Sequence, residues 1–172
     1  PTKKGGILIG IHQDFTYDIH KIAKDKHQGR YVYIEGYGDG RMWGILNIYG
    51  PNQALEPFLH EIIDKPKSWT PHDVILVGDF NVAPVCAVVD RHRQYRFLYG
   101  GFSRSMKSAF QELGVTDVWR GKFLSAQDYS FFSQVHISYS RIDLLWGTQQ
   151  IAETTNTILY SPIAISDHAM LT

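Results

Sequence analysis

Apolar residues along this chain fall mostly in short runs and alternations and only rarely at helical spacing, which predicts many strands and few helices. Gly5-Gly6 leads into Ile7-Leu8-Ile9-Gly10-Ile11, a run that reads as a buried strand, and Phe15, Tyr17 and Ile19 alternate with polar residues as on a half-exposed one. Arg30 to Tyr37 and Arg41 to Tyr49, rich in Tyr, Val and Ile, flank Gly38-Asp39-Gly40, a hairpin-type turn. Gly50-Pro51-Asn52 breaks the second strand. Leu55, Phe58, Leu59, Ile62 and Ile63 then recur at helical spacing as far as Pro66. Val74 to Val77 is wholly apolar, as in a strand covered on both faces. Gly78 to Val89 reads as a loop and Asp90 to Arg96 as a basic tract; Met106, Ala109, Phe110 and Leu113 suggest a second helix stopped by Gly114. Tyr129 to Phe132, Ile142 to Trp146 and Thr157 to Tyr160 read as strands, and Ser166 to Leu171 ends mid-strand. Strands with interspersed helices predict a layered α/β sandwich.

Composition narrows the classes. The 172 residues suit one domain, and 44% hydrophobic with 20% charged residues exclude a disordered or collagen-like chain. Seventeen basic residues balance seventeen acidic ones, so any nucleic-acid contact needs a local patch rather than a whole-molecule field. Cys86 is the sole cysteine; with no internal disulfide the natural expectation is a reduced, intracellular setting. No apolar run approaches the ~20 residues that span a bilayer, so no membrane association is expected. Pro1 to Ile7 is too weak for a signal peptide and reads as the start of a piece of something longer.

Four segments carry candidate chemistry. In Val74 to Asn81 a buried strand delivers Asp79 and Asn81 at its C-terminal end, where α/β sheets commonly place their sites. Alternation puts those two on one side, with Phe80 turned away if the backbone stays extended. A carboxylate and an amide together suit a phosphate ester, although Gly-Asp and Asn are equally ordinary turn formers. Ser166-Asp167-His168 offers a hard oxygen ligand beside an imidazole, in a pattern that alone is commonest in solvated loops. Asp143, entering the strand Leu144-Leu145-Trp146, suits the orientation of a histidine, or else a surface pair with Arg141. Tyr49 ends a strand with its hydroxyl available to an oxyanion, or simply packs. P-loop, GxGxxG, HExxH and GxSxG patterns are all missing, and His12, His20, His27, His60 and His136 read as surface residues.

In this order the segments resemble the endonuclease/exonuclease/phosphatase superfamily, and within it the endonuclease domain of LINE-type retrotransposons. NIYGPN (47–52), ILVGDFN (75–81), LGVTDVWR (113–120), DYSFFS (128–133), SYSRIDLLW (138–146) and SDHAML (166–171) carry the likeness. The resemblance implies a DNase I-like α/β sandwich, two packed and mostly antiparallel sheets flanked by helices, over a single domain from 1 to 172. It implies that His168 contacts the scissile phosphate, Asp143 holds the imidazole, Asp79 handles a proton, Asn81 and Tyr49 hydrogen-bond the phosphate, and Asp167 serves the metal. Arg91, Ser130 and Ser140 fall where the retrotransposon branch lines its DNA groove. Mg²⁺ or Mn²⁺ is the implied cofactor. The implied partners are DNA and a reverse transcriptase domain of the same polyprotein, which extends the 3′-hydroxyl left by hydrolysis, with action in the nucleus.

The family pattern also has an Asn on a first strand and a metal-ligating Glu in a Gln-Glu-Thr-His-like segment, and neither has a match here. The expectation is an N-terminally truncated domain lacking the first strands, weak in metal affinity, self-associating through an unpaired sheet edge and nicking DNA feebly or not at all. The alternatives are an inactive DNA- or protein-binding remnant, supported by the tract Arg91 to Arg96 with its aromatic among cations, and a phosphatase or sphingomyelinase of the same fold.

Overall fold

A computed structural model describes residues 6–52, 55–64, 71–84, 90–92 and 107–172. The chain runs through β1 (Tyr17–Lys24), β2 (Tyr31–Gly38), β3 (Arg41–Tyr49), α1 (Leu55–Asp64), β4 (Asp73–Asp79) and β5 (Arg91–His92). A helical stretch over 107–112 (α2) follows. The rest is β6 (Val115–Asp117), α3 (Val118–Lys122), β7 (Phe131–Ser133), β8 (Ser138–Ser140), β9 (Asp143–Thr148), α4 (Gln149–Thr154), β10 (Tyr160–Pro162) and β11 (Ala169–Leu171).

The main sheet has six strands in the order β1-β2-β3-β4-β9-β6. Its pairs are antiparallel except β3 with β4, which are parallel. That exception follows from the connection: a parallel neighbour needs a crossover, and α1 supplies it. The β2–β3 hairpin closes through Asp39 and Gly40, both at positive φ (50° and 73°), the geometry whose twist matches the flanking strands. Two smaller sheets, β5-β8-β7 and β10-β11, complete the mixed α/β architecture.

Alternation along the central strands divides the core between the two faces of the main sheet. Tyr33, Leu46, Leu76, Leu144 and Trp146 pack in one cluster with Leu59, Ile62 and Ile63 of α1 and Phe110 of α2. Ile75 and Leu145 instead join Val118, Trp119, Ile151 and Ile158, the cluster formed with α3 and α4. This is the double coverage that the apolar run Val74–Val77 predicts.

Three expectations need correction. Residues 7–11 form no strand; Leu8 is 84% exposed, and the link to the sheet is a hydrogen bond from Asn47 Nδ2 to the Leu8 carbonyl at 3.0 Å. No described strand offers this run a ladder, so its apolar composition alone cannot make it one. The strand expected over 157–160 begins only at Tyr160, with Ile158 buried ahead of it. Asn81 is not extended: β4 ends at Asp79, and Asn81 has φ of 53°. Cys86 and residues 93–96 of the basic tract lie outside the described residues. Among those described, no helix is long and apolar enough to cross a membrane.

Candidate active site

Strand register builds the site. Tyr49 pairs with Asp79 across β3 and β4, and Asp79 pairs with Asp143 across β4 and β9, so the three stand in a row at one end of the main sheet. Directly opposed residues of an antiparallel pair share a face, so the two carboxylates are neighbours by construction. Gly78 makes the close approach possible. Its φ is 130°, and a Cβ there would stand 2.1 Å from the Ile48 carbonyl oxygen, which no side chain tolerates.

Beyond Asp79 the chain turns instead of continuing. Phe80 donates its N–H to the Ile142 carbonyl at 2.9 Å and buries its ring completely. The Asn81 N–H bonds Asp79 Oδ1 at 2.8 Å, and its side-chain Nδ2 donates to the Gly50 carbonyl at 2.6 Å. The left-handed backbone that this closed turn demands suits the short amide side chain of Asn. Tyr49 is 41% exposed, with the Arg30 guanidinium 5.3 Å above its ring.

The histidine arrives from the far end of the sequence. His168 Nδ1 lies 2.8 Å from Asp143 Oδ2, a pair separated by 25 positions in the chain. The loop carrying it is pinned to β7: Phe132 donates its N–H to the Asp167 carbonyl at 3.0 Å, Ala169 donates to the Ser130 carbonyl at 2.6 Å, and the His168 ring packs on Phe131. With Nδ1–H toward the carboxylate, the ring is held in one tautomer and Nε2 is left for other work.

Asp79, Asp143 and His168 each offer a ligand atom within 4.8 Å of the others, the one such group among the described residues. Burial and the Asp143 charge push the Asp79 carboxyl up to about 6, against the pull of the Asn81 N–H and the His168 ring. Two crowded carboxylates are a donor set that a divalent cation satisfies. Asp167, expected at the metal, is exposed and stands outside this group on the wall of the adjoining cleft. That cleft has a volume of about 890 Å³ and runs past Phe131, Phe132, Val135, Tyr139, Ile165 and His168. Among the described residues no lysine or arginine lines it.

The residues expected in a DNA groove gather on the small sheet, where Arg91 pairs with Ser140 and Ser140 with Phe131. Ser140 is 7% exposed and Ser130 only 1%, so both are placed as interior residues.

Sequence reasoning misses Arg141. Where a surface pair with Asp143 stood as one alternative, the guanidinium is wholly buried, bonding Asp90 through Nε at 2.8 Å and Asp117 through Nη2 at 2.6 Å. Arg120 also bridges to Asp90, and both arginines face the Trp119 ring. The network anchors the turn immediately before Asp143. A buried arginine whose partners, Asp90 and Asp117, are distant in the chain leaves no signature in local sequence.

A model of the endonuclease/exonuclease/phosphatase family matches residues 2–168. Among solved structures, the AP endonuclease LMAP from Leishmania major is 20% identical with a TM-score of 0.68, over 84% of this chain and 54% of that one. The 3′ phosphatase NExo from Neisseria, bound to a product DNA hairpin, is 19% identical with a TM-score of 0.64, over 92% and 69%. The endonuclease domain of TRAS1, a telomere-specific non-LTR retrotransposon, is 16% identical with a TM-score of 0.64, over 93% and 68%. At these identities the likeness is one of fold, and the chain spans about half the length of the Leishmania enzyme.

Proposed function

The chain belongs to the endonuclease/exonuclease/phosphatase family, and we propose that it is the metal-dependent DNA endonuclease domain of a retrotransposon. The observation that carries the reading is the Asp143–His168 bond at 2.8 Å with Asp79 beside it. This is a fixed imidazole next to a carboxyl that titrates close to neutral pH, the pair that proton transfer during phosphodiester hydrolysis needs. The retrotransposon assignment is supported by DYSFFS and SYSRID, which supply β7, β8 and the start of β9 around the histidine.

In the proposed reaction water adds to phosphorus as the P–O3′ bond breaks, and the departing O3′ takes a proton to become the 3′-hydroxyl. His168, oriented by Asp143, contacts the phosphate and stabilises its developing charge. Asp79, ionised when a divalent ion is held beside it, takes the proton of the attacking water and relays it towards the departing O3′. Tyr49 and the second N–H of the Asn81 amide hydrogen-bond the phosphate oxygens. Asp79 and Asp143 are the oxygens that would hold Mg²⁺ or Mn²⁺, with Asp167 on the cleft wall as an outer carboxylate. A divalent ion held there would supply positive charge to the phosphate oxygens. Because Asp143 is shared with His168, the metal should be held weakly and millimolar Mg²⁺ should be needed. The β7–β8 hairpin faces the DNA in this reading, and action in the nucleus, with a reverse transcriptase domain extending the nick, follows from it.

The test is a plasmid-relaxation assay at millimolar Mg²⁺. The expected product is an open circle whose 3′ ends a polymerase extends without prior repair, with relaxation lost in EDTA and on His168→Ala. An intact plasmid together with phosphate release from a 3′-phosphorylated oligonucleotide would replace the endonuclease reading with a phosphatase one. DNA binding without either activity would leave the binding remnant.

A further inference from the structure

We infer that Ser130 is the positioning residue of the Asp143–His168 pair, setting turnover rather than DNA affinity. Its backbone N–H donates to the Ser140 carbonyl at 3.1 Å, and its carbonyl accepts from Ala169, next to the histidine, at 2.6 Å. Its hydroxyl oxygen accepts from the N–H of Ile142 at 2.9 Å and from the N–H of Asp143 at 2.9 Å. One residue therefore holds the backbone of both members of the pair.

The two amides need such a partner. Asp143 opens β9 where the ladder with β4 ends, and the Phe80 N–H is spent on the Ile142 carbonyl, so this turn has no strand neighbour to accept its own N–H groups. An unpaired buried N–H is avoided in folded proteins, and a hydroxyl oxygen with two lone pairs can satisfy two. On the other side, the Tyr160 hydroxyl donates to the Asp143 carbonyl at 2.6 Å. The Asp143 peptide is thus held at its N–H and at its C=O, which leaves its carboxylate little freedom other than to face His168. Both acceptor sites of the Ser130 hydroxyl are occupied and the residue is 1% exposed, so it offers no surface to a DNA strand.

The kinetic arm of the test rests on the endonuclease reading; the spectroscopic arm does not. Ser130→Ala removes the acceptor, while Ser130→Thr keeps a hydroxyl in place. Displacement of a reacting group by about 1 Å costs on the order of 100-fold in rate. Nicking by Ser130→Ala should therefore lose about that much in kcat with KM changed less than about threefold, and Ser130→Thr should recover most of it. By NMR, the wild-type amides of Ile142 and Asp143 should be protected from exchange and His168 should populate mainly the Nδ1–H tautomer, with both signatures lost in Ser130→Ala. A raised KM at unchanged kcat would make Ser130 a groove contact and overturn the inference. So would wild-type Ile142 and Asp143 amides that exchange as fast as exposed loop amides, a result independent of whether Ser130→Ala folds. If the wild-type chain cleaves no DNA, the endonuclease reading falls while amide exchange still decides the role of Ser130.

Discussion

Asp79 is where structure and chemistry pull apart. An unfolded Asp titrates near 3.8, whereas burial and the Asp143 charge raise the folded value to about 6. Between these values the folded state binds more protons than the unfolded one, so stability falls as pH rises through this window and the full cost is present above pH 6. Allowing for partial solvent contact, that cost is on the order of 2 kcal/mol. Asp79→Asn removes the charge and keeps an oxygen for the Asn81 N–H. It should stabilise the protein by about 1–2 kcal/mol at pH 8 and hardly at all at pH 4, as read from urea unfolding. Added Mg²⁺ should narrow the gap by stabilising only the ionised wild type. A variant less stable than wild type at pH 8 would refute this account of Asp79. At this scale Asp79, Asp143 and His168 were legible because their motifs stand in the sequence. Ser130 and Arg141 were not, because their roles depend on partners that only the folded chain supplies; Arg141 and Asp90 lie 51 positions apart.

Among the elements, the long strands and α1 were readable because apolar alternation and helical spacing persist over enough residues to separate the two periods. The missed helices α3 and α4 have five and six residues, too few to show a face. Asp117 caps α3 by accepting the Arg120 N–H at 3.0 Å while also pairing with Arg141, so the helix start and the buried network share one carboxylate. Breaking a buried ion pair strands the remaining charges, typically at about 3–5 kcal/mol. Arg141→Met should cost that much at pH 7.5. A loss below about 1 kcal/mol at pH 7.5, measured by chemical unfolding, would mean that the network does not anchor the turn before Asp143.

For the molecule as a whole, zero formal net charge means that no general positive field draws in an anionic substrate. In the proposed reaction hydrolysis depends on a small constellation contributed by strand ends and loops distant in sequence, and its members should act as a unit. Removing one member of such a unit costs nearly as much as removing two. The most direct measurement is a double-mutant cycle on plasmid nicking at saturating Mg²⁺ with wild type, His168→Ala, Asp143→Ala and the double variant. We predict that each single substitution lowers the rate by about 10²–10³-fold and that the double variant is at most about threefold slower than the weaker single one. Losses that multiply, a single variant that nicks at the wild-type rate, or a wild-type chain that leaves the plasmid intact would contradict it.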